Sequence, residues 1–398
     1  MAITIENEPG DIAPVYSDLT YTLSSTNTAL TNFKFVAVIK DASGTILAKL
    51  KAPLYTGTNY GVFNISRILQ NYVTFDFAQA TTIPAKCSNS FIAYSVEFGE
   101  EYNGTEYLNL TSDTGKYAWN GLYSKWDSEL ISDYEITFPG TSRKFLTTIR
   151  RRRVTRTQYD YLYFMRGGTA LGADRVEVKA YDAAGNATTS VIKQVLNASN
   201  KDEYLLRMGA GVVNLNQITS GNLYSGTAGS VVPVGTVYYT IQVKNNTDDP
   251  GSEAYRFDVI EECSKYPTRV LYFLNRLGGF ETLRCSMLNR DVYSVDRKQL
   301  KRNTYGFTGT QYGRDTTAHG IASYATTKSR KVILNTDFLN ELEWQWVDEL
   351  ISSPVVYLDG NIPVNVTNTQ VEVFDLNDGP QQLRIEVEYT EPEILQNI

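Results

Sequence analysis

Short runs of period-two alternation, each bounded by turn residues, recur along almost the whole chain and leave it little to build except β-sheet. Phe33–Lys40 (Phe-Lys-Phe-Val-Ala-Val-Ile-Lys) is rich in aromatic and β-branched residues. Asp41-Ala-Ser-Gly44 turns the chain, and Ile46–Leu50 returns as a hairpin partner. In residues 15–24, Tyr21 and Leu23 share a face; in Phe91–Phe98, Ile92, Tyr94, Val96 and Phe98 do. Asn103-Gly104 is a further turn signal, followed by Lys116–Tyr123 with its Trp119-Asn120-Gly121. One short helix is expected near Gly61–Tyr72, with Asn64 as N-cap and Ile65, Ile68, Leu69 and Tyr72 on one face. Residues 1–128 therefore read as a β-sandwich of fibronectin or immunoglobulin type with one short helix.

Residues 129–262 read as a second β domain. Its strands are Tyr134–Phe138, Tyr159–Met165, Val176–Tyr181, Ser190–Val195, Val237–Val243 and Tyr255–Ile260, with Asp182-Ala-Ala-Gly-Asn186 as a hairpin turn. Residues 209–235, rich in Gly, Ser and Val, read as a long loop or extended arm.

In residues 263–398 the character changes to α+β. Arg269–Leu274, the turn Asn275-Arg-Leu-Gly-Gly279 and Phe280–Met287 precede a polar excursion, residues 289–331. That excursion carries Arg290, Arg297, Lys298, Lys301, Arg302, Arg314, Lys328, Arg330 and Lys331. One long helix is predicted over Asp337–Ser352, with Phe338, Leu339, Leu342, Trp346, Leu350 and Ile351 as its apolar face and Pro354 as its stop. Trp344, two residues from Trp346, faces elsewhere and suits a neighbouring domain or a subunit contact. Val355–Leu358, Val364–Thr367, Val371–Phe374 and Leu383–Tyr389 complete a sheet under that helix. The chain is thus expected to be mainly β and multi-domain.

Composition narrows the functions. Acidic residues exceed basic ones, 44 to 37, giving a net charge of −7. That argues against nucleic acid as the main ligand. The run Arg150-Arg151-Arg152-Arg153 then reads as a solvated loop or a contact with an acidic subunit neighbour. No apolar run approaches the ~20 residues of a membrane span. The opening Met1-Ala2-Ile3-Thr4-Ile5-Glu6 lacks signal-peptide chemistry, so folding in a cytosol is expected. Cys87, Cys263 and Cys285 are three in number, which suits reduced buried thiols. The single histidine, His319, lies in a polar, Gly-bounded segment without a nucleophile elbow and reads as a loop residue. No catalytic residue, cofactor or metal site is expected, and the chain reads as a non-enzyme. Glu97, Glu100, Glu101 and Glu106 offer the paired carboxylates of a glycosidase, but 44 acidic residues supply such pairs in any β protein. Trp119, Tyr123 and Trp126 could stack on sugars, which keeps a carbohydrate- or host-receptor-binding module as the alternative; core packing explains them equally well.

Three stretches carry a resemblance: Gly61–Val73; Tyr117-Ala-Trp-Asn-Gly121 with Lys144-Phe-Leu-Thr147; and Tyr272–Phe280 with Leu350–Leu358. Together they resemble uncharacterised virion proteins of tailed bacteriophages. The C-terminal helix-then-meander is similar in outline to the tail-tube-like domains of distal tail and baseplate-hub proteins. The resemblance implies a structural subunit forming a ring or connector in the tail or tail tip. It would be assembled in the host cytoplasm and partnered by copies of itself and other tail proteins. The 28 Tyr against 16 Phe suit interfaces that are soluble before assembly. Arg150, Arg151, Arg152, Arg153, Arg297, Lys301, Arg302 and Trp344 are the candidate inter-subunit contacts.

Overall fold

The alternating runs pair into sheets. The computed structural model describes residues 3–77, 84–123, 130–138, 141–166, 175–194, 205–245, 247–261, 265–368, 381–391 and 393–394. The fold is mainly β, in two compact units: Met1–Glu262 with Leu274–Glu281, and Cys263–Phe273 with Thr282–Ile398.

The first unit holds two hydrophobic cores. One lies between a three-stranded sheet (Ile3–Asn7, Thr20–Ser25, Tyr60–Asn64) and a five-stranded sheet in the order Ile12–Pro14, Thr105–Trp119, Phe91–Tyr102, Lys34–Asp41, Ile46–Ala52. Tyr21 and Leu23 point into it, and Phe98 meets Tyr21 at 5.2 Å and Phe63 at 6.4 Å between ring centroids. This is sheet-on-sheet packing with alternate residues inward. The turn after Lys34–Asp41 forms as its chemistry requires, the Asp41 carboxylate accepting from the Ser43 and Thr45 amides. The expected helix shrinks to Ser66–Leu69 and a 3-10 turn, Gln70–Tyr72. Its N-cap is Ile65, not the expected Asn64, and no side chain caps it; Asn64 Oδ1 accepts from Ser66 N at 3.1 Å just before the helix, and Tyr72 is exposed.

The second core lies between a six-stranded sheet (Arg151–Val154, Tyr255–Val259, Tyr238–Lys244, Arg175–Tyr181, Ala187–Gln194, Leu223–Ser225) and a four-stranded one (Glu135–Ile136, Tyr161–Arg166, Leu205–Gly209, Ala85–Lys86). Tyr161–Arg166 is buried along its whole length. Leu162 and Phe164 face the core, whereas Tyr163 donates to Asp76 O at 2.7 Å and Tyr161 packs on Phe77. Burial on both faces explains why this strand reads as a continuous apolar run.

Residues 209–235 are not the long loop or arm expected. They form a helical turn (Val212–Asn216), a 3-10 turn (Ser220–Asn222) and the strand Leu223–Ser225, and they fill the second core with Val212, Leu215, Ile218, Val231 and Val232. The Asn216 amide ties the segment together, donating to Val232 O at 3.1 Å and accepting from Val232 N at 2.9 Å. Its apolar residues follow no period because side-chain bridges, not a regular element, place them.

The second unit is built on a sheet in the order Phe280–Cys285, Arg269–Leu274, Val356–Leu358, Ile362–Val366, Gln381–Tyr389, Ile321–Leu339, Arg290–Lys301, with Glu393–Ile394 also paired to Ile321–Leu339, a helix over it and a separate two-stranded hairpin, Tyr305–Thr308 with Gln311–Arg314. The helix is short. It begins at Glu341, not Asp337, because Phe338 and Leu339 are still paired with Gln382 and Gln381. Asn340 caps it: its side chain accepts from Glu343 N at 3.1 Å and its amide donates to the Glu343 carboxylate at 2.9 Å. Phe338 therefore lies in a strand, 53% exposed, and not on the helix's apolar face. Trp346, Val347 and Leu350 supply that face, and Trp346 sits 5.4 Å from Phe273. The Leu342 side chain, Cys263, Trp126 and the expected strand Val371–Phe374 lie outside the described residues. Cys87 and Cys285 are buried thiols. Trp346→Ala should remove about 3–5 kcal/mol of stability, measured by chemical denaturation; an unchanged midpoint would show that the helix is not held through this ring.

Candidate functional site

The eight expected contact residues divide among three settings. Arg150–Arg153 are not a solvated loop. Arg151–Val154 is a strand pairing in parallel with Tyr255–Val259. Arg150 pairs with Glu253 at 3.2 Å and Arg151 with Asp258. Arg152 is turned inward and 4% exposed, which removes it from any subunit contact. Its guanidinium meets Asp160 at 2.8 Å, Glu281 at 3.2 Å, Thr147 Oγ1 at 2.9 Å and Tyr161 O at 3.2 Å. Burial pushes the Glu281 carboxyl above its ordinary range, and the Arg152 charge opposes that shift. Two carboxylates around one arginine look like chemistry in outline. All three are almost wholly enclosed, so the cluster is a structural tie between the Arg151–Val154 strand and the Leu274–Glu281 bend of the same unit. Truncating one partner of such a cluster leaves charge buried and unpaired, so Arg152→Ala should cost about 3–5 kcal/mol. A denaturation midpoint equal to wild type would refute this role.

The carboxylates considered for glycoside cleavage are also engaged. Glu97 pairs with Lys40 at 2.5 Å, and Glu101 and Glu106 pair with Lys51. Buried Glu100 accepts from Ser25 and from Asn27 Nδ2. Hydrogen bonds from Lys49 and Lys51 hold Glu106 down at about 2, below its usual 4.5. A depressed carboxyl stabilises the fold above its unfolded value and loses that contribution as pH falls through its folded value. The thermal midpoint of Glu106→Gln should therefore lie below wild type at pH 6 and converge on it toward pH 2. A gap that persists at pH 2 would refute this. Trp119, one of the three rings considered for sugar stacking, is buried and donates its indole N–H to Leu277 O at 3.1 Å. Among the described residues, no group of three or more His, Cys, Asp or Glu could hold a metal ion. No helix among them is long and apolar enough to cross a membrane.

Arg297, Lys301 and Arg302 fall together, on a feature that lacks a core of its own. Residues 289–331 are not an unpatterned loop. Arg290–Lys301 pairs antiparallel with Ile321–Leu339, from Arg290 opposite Ile333 to Lys301 opposite Ile321. The ladder continues outward: Arg302 N donates to Gly320 O at 2.9 Å and Asp315 N to Thr304 O at 2.7 Å. A second hairpin, Tyr305–Thr308 with Gln311–Arg314, forms the tip. Ala325 pairs with Lys298 and Ser323 with Gln299, leaving Tyr324 as the extra residue of a bulge. Asp315 accepts from the Thr317 hydroxyl and amide, which lowers its carboxyl and pins the turn. His319 is exposed in this turn region.

Every residue of Arg290–Lys301 is exposed. Val292, Tyr293, Val295, Leu300, Ile321 and Tyr324 are large apolar side chains in water. Cations lie over the rings: Lys328 Nζ is 4.2 Å from the Tyr293 centroid, and the Arg330 guanidinium is 4.8 Å from that of Tyr389. Residues 290–331 hold nine Lys and Arg against three Asp, a charge of +6, so the remainder of the chain carries −13. The sequence reading found the charge of this arm but missed its rings, Tyr293, Tyr305, Phe307 and Tyr312. Their alternation in Tyr305-Gly-Phe-Thr and Gln-Tyr312-Gly-Arg, around Gly309-Thr310, was the available hairpin signal. Trp344 is half-buried on the helix of the second unit. No protein-family model matches the chain, and no curated protein matches it significantly.

Proposed function

We propose that this chain is a non-enzymatic structural subunit of a tailed-phage virion, assembling with copies of itself as a ring or connector in the tail or tail tip. The observation that carries the assembly reading is the arm: a basic, aromatic ribbon whose Arg290–Lys301 strand is exposed along its whole length. A lone hairpin is marginal in water, and contiguous exposed apolar residues mark an interaction surface. A charge of +6 on the arm against −13 elsewhere suits contact with another copy and sets register and rate of association more than affinity. A head-to-tail contact of this kind closes into a ring when its rotation divides a full turn. The virion assignment rests on the resemblance of Gly61–Val73, Tyr117–Gly121 and Tyr272–Phe280 to tail proteins, and on the helix lying over a sheet in the second unit. It implies assembly in the host cytoplasm, with other tail proteins as further partners.

The glycan-binding alternative loses support at Trp119, whose ring is enclosed. Trypsin offers a direct test, since the arm carries nine Lys and Arg. Cleavage within residues 290–331 should be fast in the free chain and strongly suppressed in the assembled particle. Equal rates in both would overturn the arm's role in assembly.

A further inference from the structure

The hairpin at the arm's end has two unlike faces. Tyr305 pairs with Arg314 and Phe307 with Tyr312, so four long side chains stand on one side. Tyr305 and Tyr312 stack at 6.3 Å, and Phe307 meets Tyr312 at 5.1 Å. All three rings are exposed, Phe307 by 75%. On the other side Gly306 pairs with Gly313, leaving bare backbone there, with the Thr308–Gln311 pair beyond it at the turn. Neither glycine lies in the left-handed region, and a Cβ built on either would meet nothing within 4 Å. Nothing among the described residues requires glycine there. Glycine inside a strand weakens it and marks the close approach of another backbone.

We propose that residues 305–314 anchor the arm in a second copy of this chain. The aromatic face fills an apolar recess of that copy, and the Gly306–Gly313 face lies flat against its backbone. This rests on the reading of the chain as a self-assembling subunit and names the segment that makes the contact. Charge selects the occupant: the arm is +6 and the rest of each copy −13, with Arg302 and Arg314 beside the rings. An anionic lipid surface would also attract the arm, but it would use the rings alone and give the paired glycines no role.

The test is sedimentation velocity of the full-length chain over a concentration series, with melts of each variant. Wild type, Gly306→Val/Gly313→Val and Phe307→Ser are compared. The double valine is expected to keep the wild-type melt and to need at least tenfold higher concentration for half-association; Phe307→Ser should weaken association likewise. If the double valine lowers the melt, Gly306→Ala, which adds a single methyl, is read in its place with the same expectation. A variant that melts and associates as wild type overturns the anchor while the assembly reading stands. A wild-type chain monomeric at every concentration overturns both. Vesicles of phosphatidylcholine with phosphatidylglycerol, and a polysaccharide panel, complete the test. Binding to either that Phe307→Ser abolishes and the double valine retains would reassign the tip to lipid or glycan and overturn the proposal.

Discussion

One strand, Ile321–Leu339, runs through two environments, with a separate hydrogen-bond ladder along each edge. Its inner part pairs with Gln381–Tyr389 and buries Val332, Leu334 and Thr336. Its outer part pairs with the wholly exposed Arg290–Lys301 and is itself exposed or half-buried, with Thr327 and Lys328 also paired to Ile394 and Glu393. Backbone pairing satisfies the main-chain groups between the two strands as far as the tip, so the arm keeps a defined shape without a core of its own. Its side chains gain little. A cation over a ring at an exposed site is worth about 0.5–1 kcal/mol, far less than burying the same rings would contribute. The arm's shape is thus set by backbone pairing, and its rings stay in water.

The first unit handles charge in the opposite way. Arg152, Asp160 and Glu281 are withdrawn from water and hold one another, while Asn275 donates to Leu146 O at 2.8 Å and to Glu281 at 2.7 Å. The Asn275 side-chain oxygen accepts from the amides of Leu277 and Gly279, fixing the bend that Gly278 makes possible. At Gly278 the backbone is left-handed and a Cβ would meet Asn120 O at 2.1 Å, so no other residue fits. Buried ion clusters add little net stability, but they penalise arrangements that leave a member unpaired.

Local chemistry was legible wherever a few neighbouring residues decide the outcome. The Asp41 and Asp182 turns, the inward face of Tyr21 and Leu23, and the stretch Tyr94, Val96, Phe98 follow from alternation and turn residues alone. The helix start was misplaced because Phe338 and Leu339 obey strand pairing with residues more than forty positions away. Residues 209–235 carried no period because their order comes from the Asn216 bridge and from packing into a core built by distant strands. The arm's basic charge could be read directly, but its ribbon geometry could not, since an exposed ladder leaves only a weak pattern of alternation.

By itself the sequence determined the mainly β class, the turn positions and the acidic body with one basic segment, because these depend on near neighbours and on composition. Only the tertiary structure decided which charges face water. Arg152 and Arg151 are adjacent and chemically identical, yet one is enclosed with Asp160 and Glu281 and the other lies on the surface. Strand alternation alone would place them on opposite faces. Which face is buried depends on the sheet and the bend that pack there, and those come from residues far along the chain.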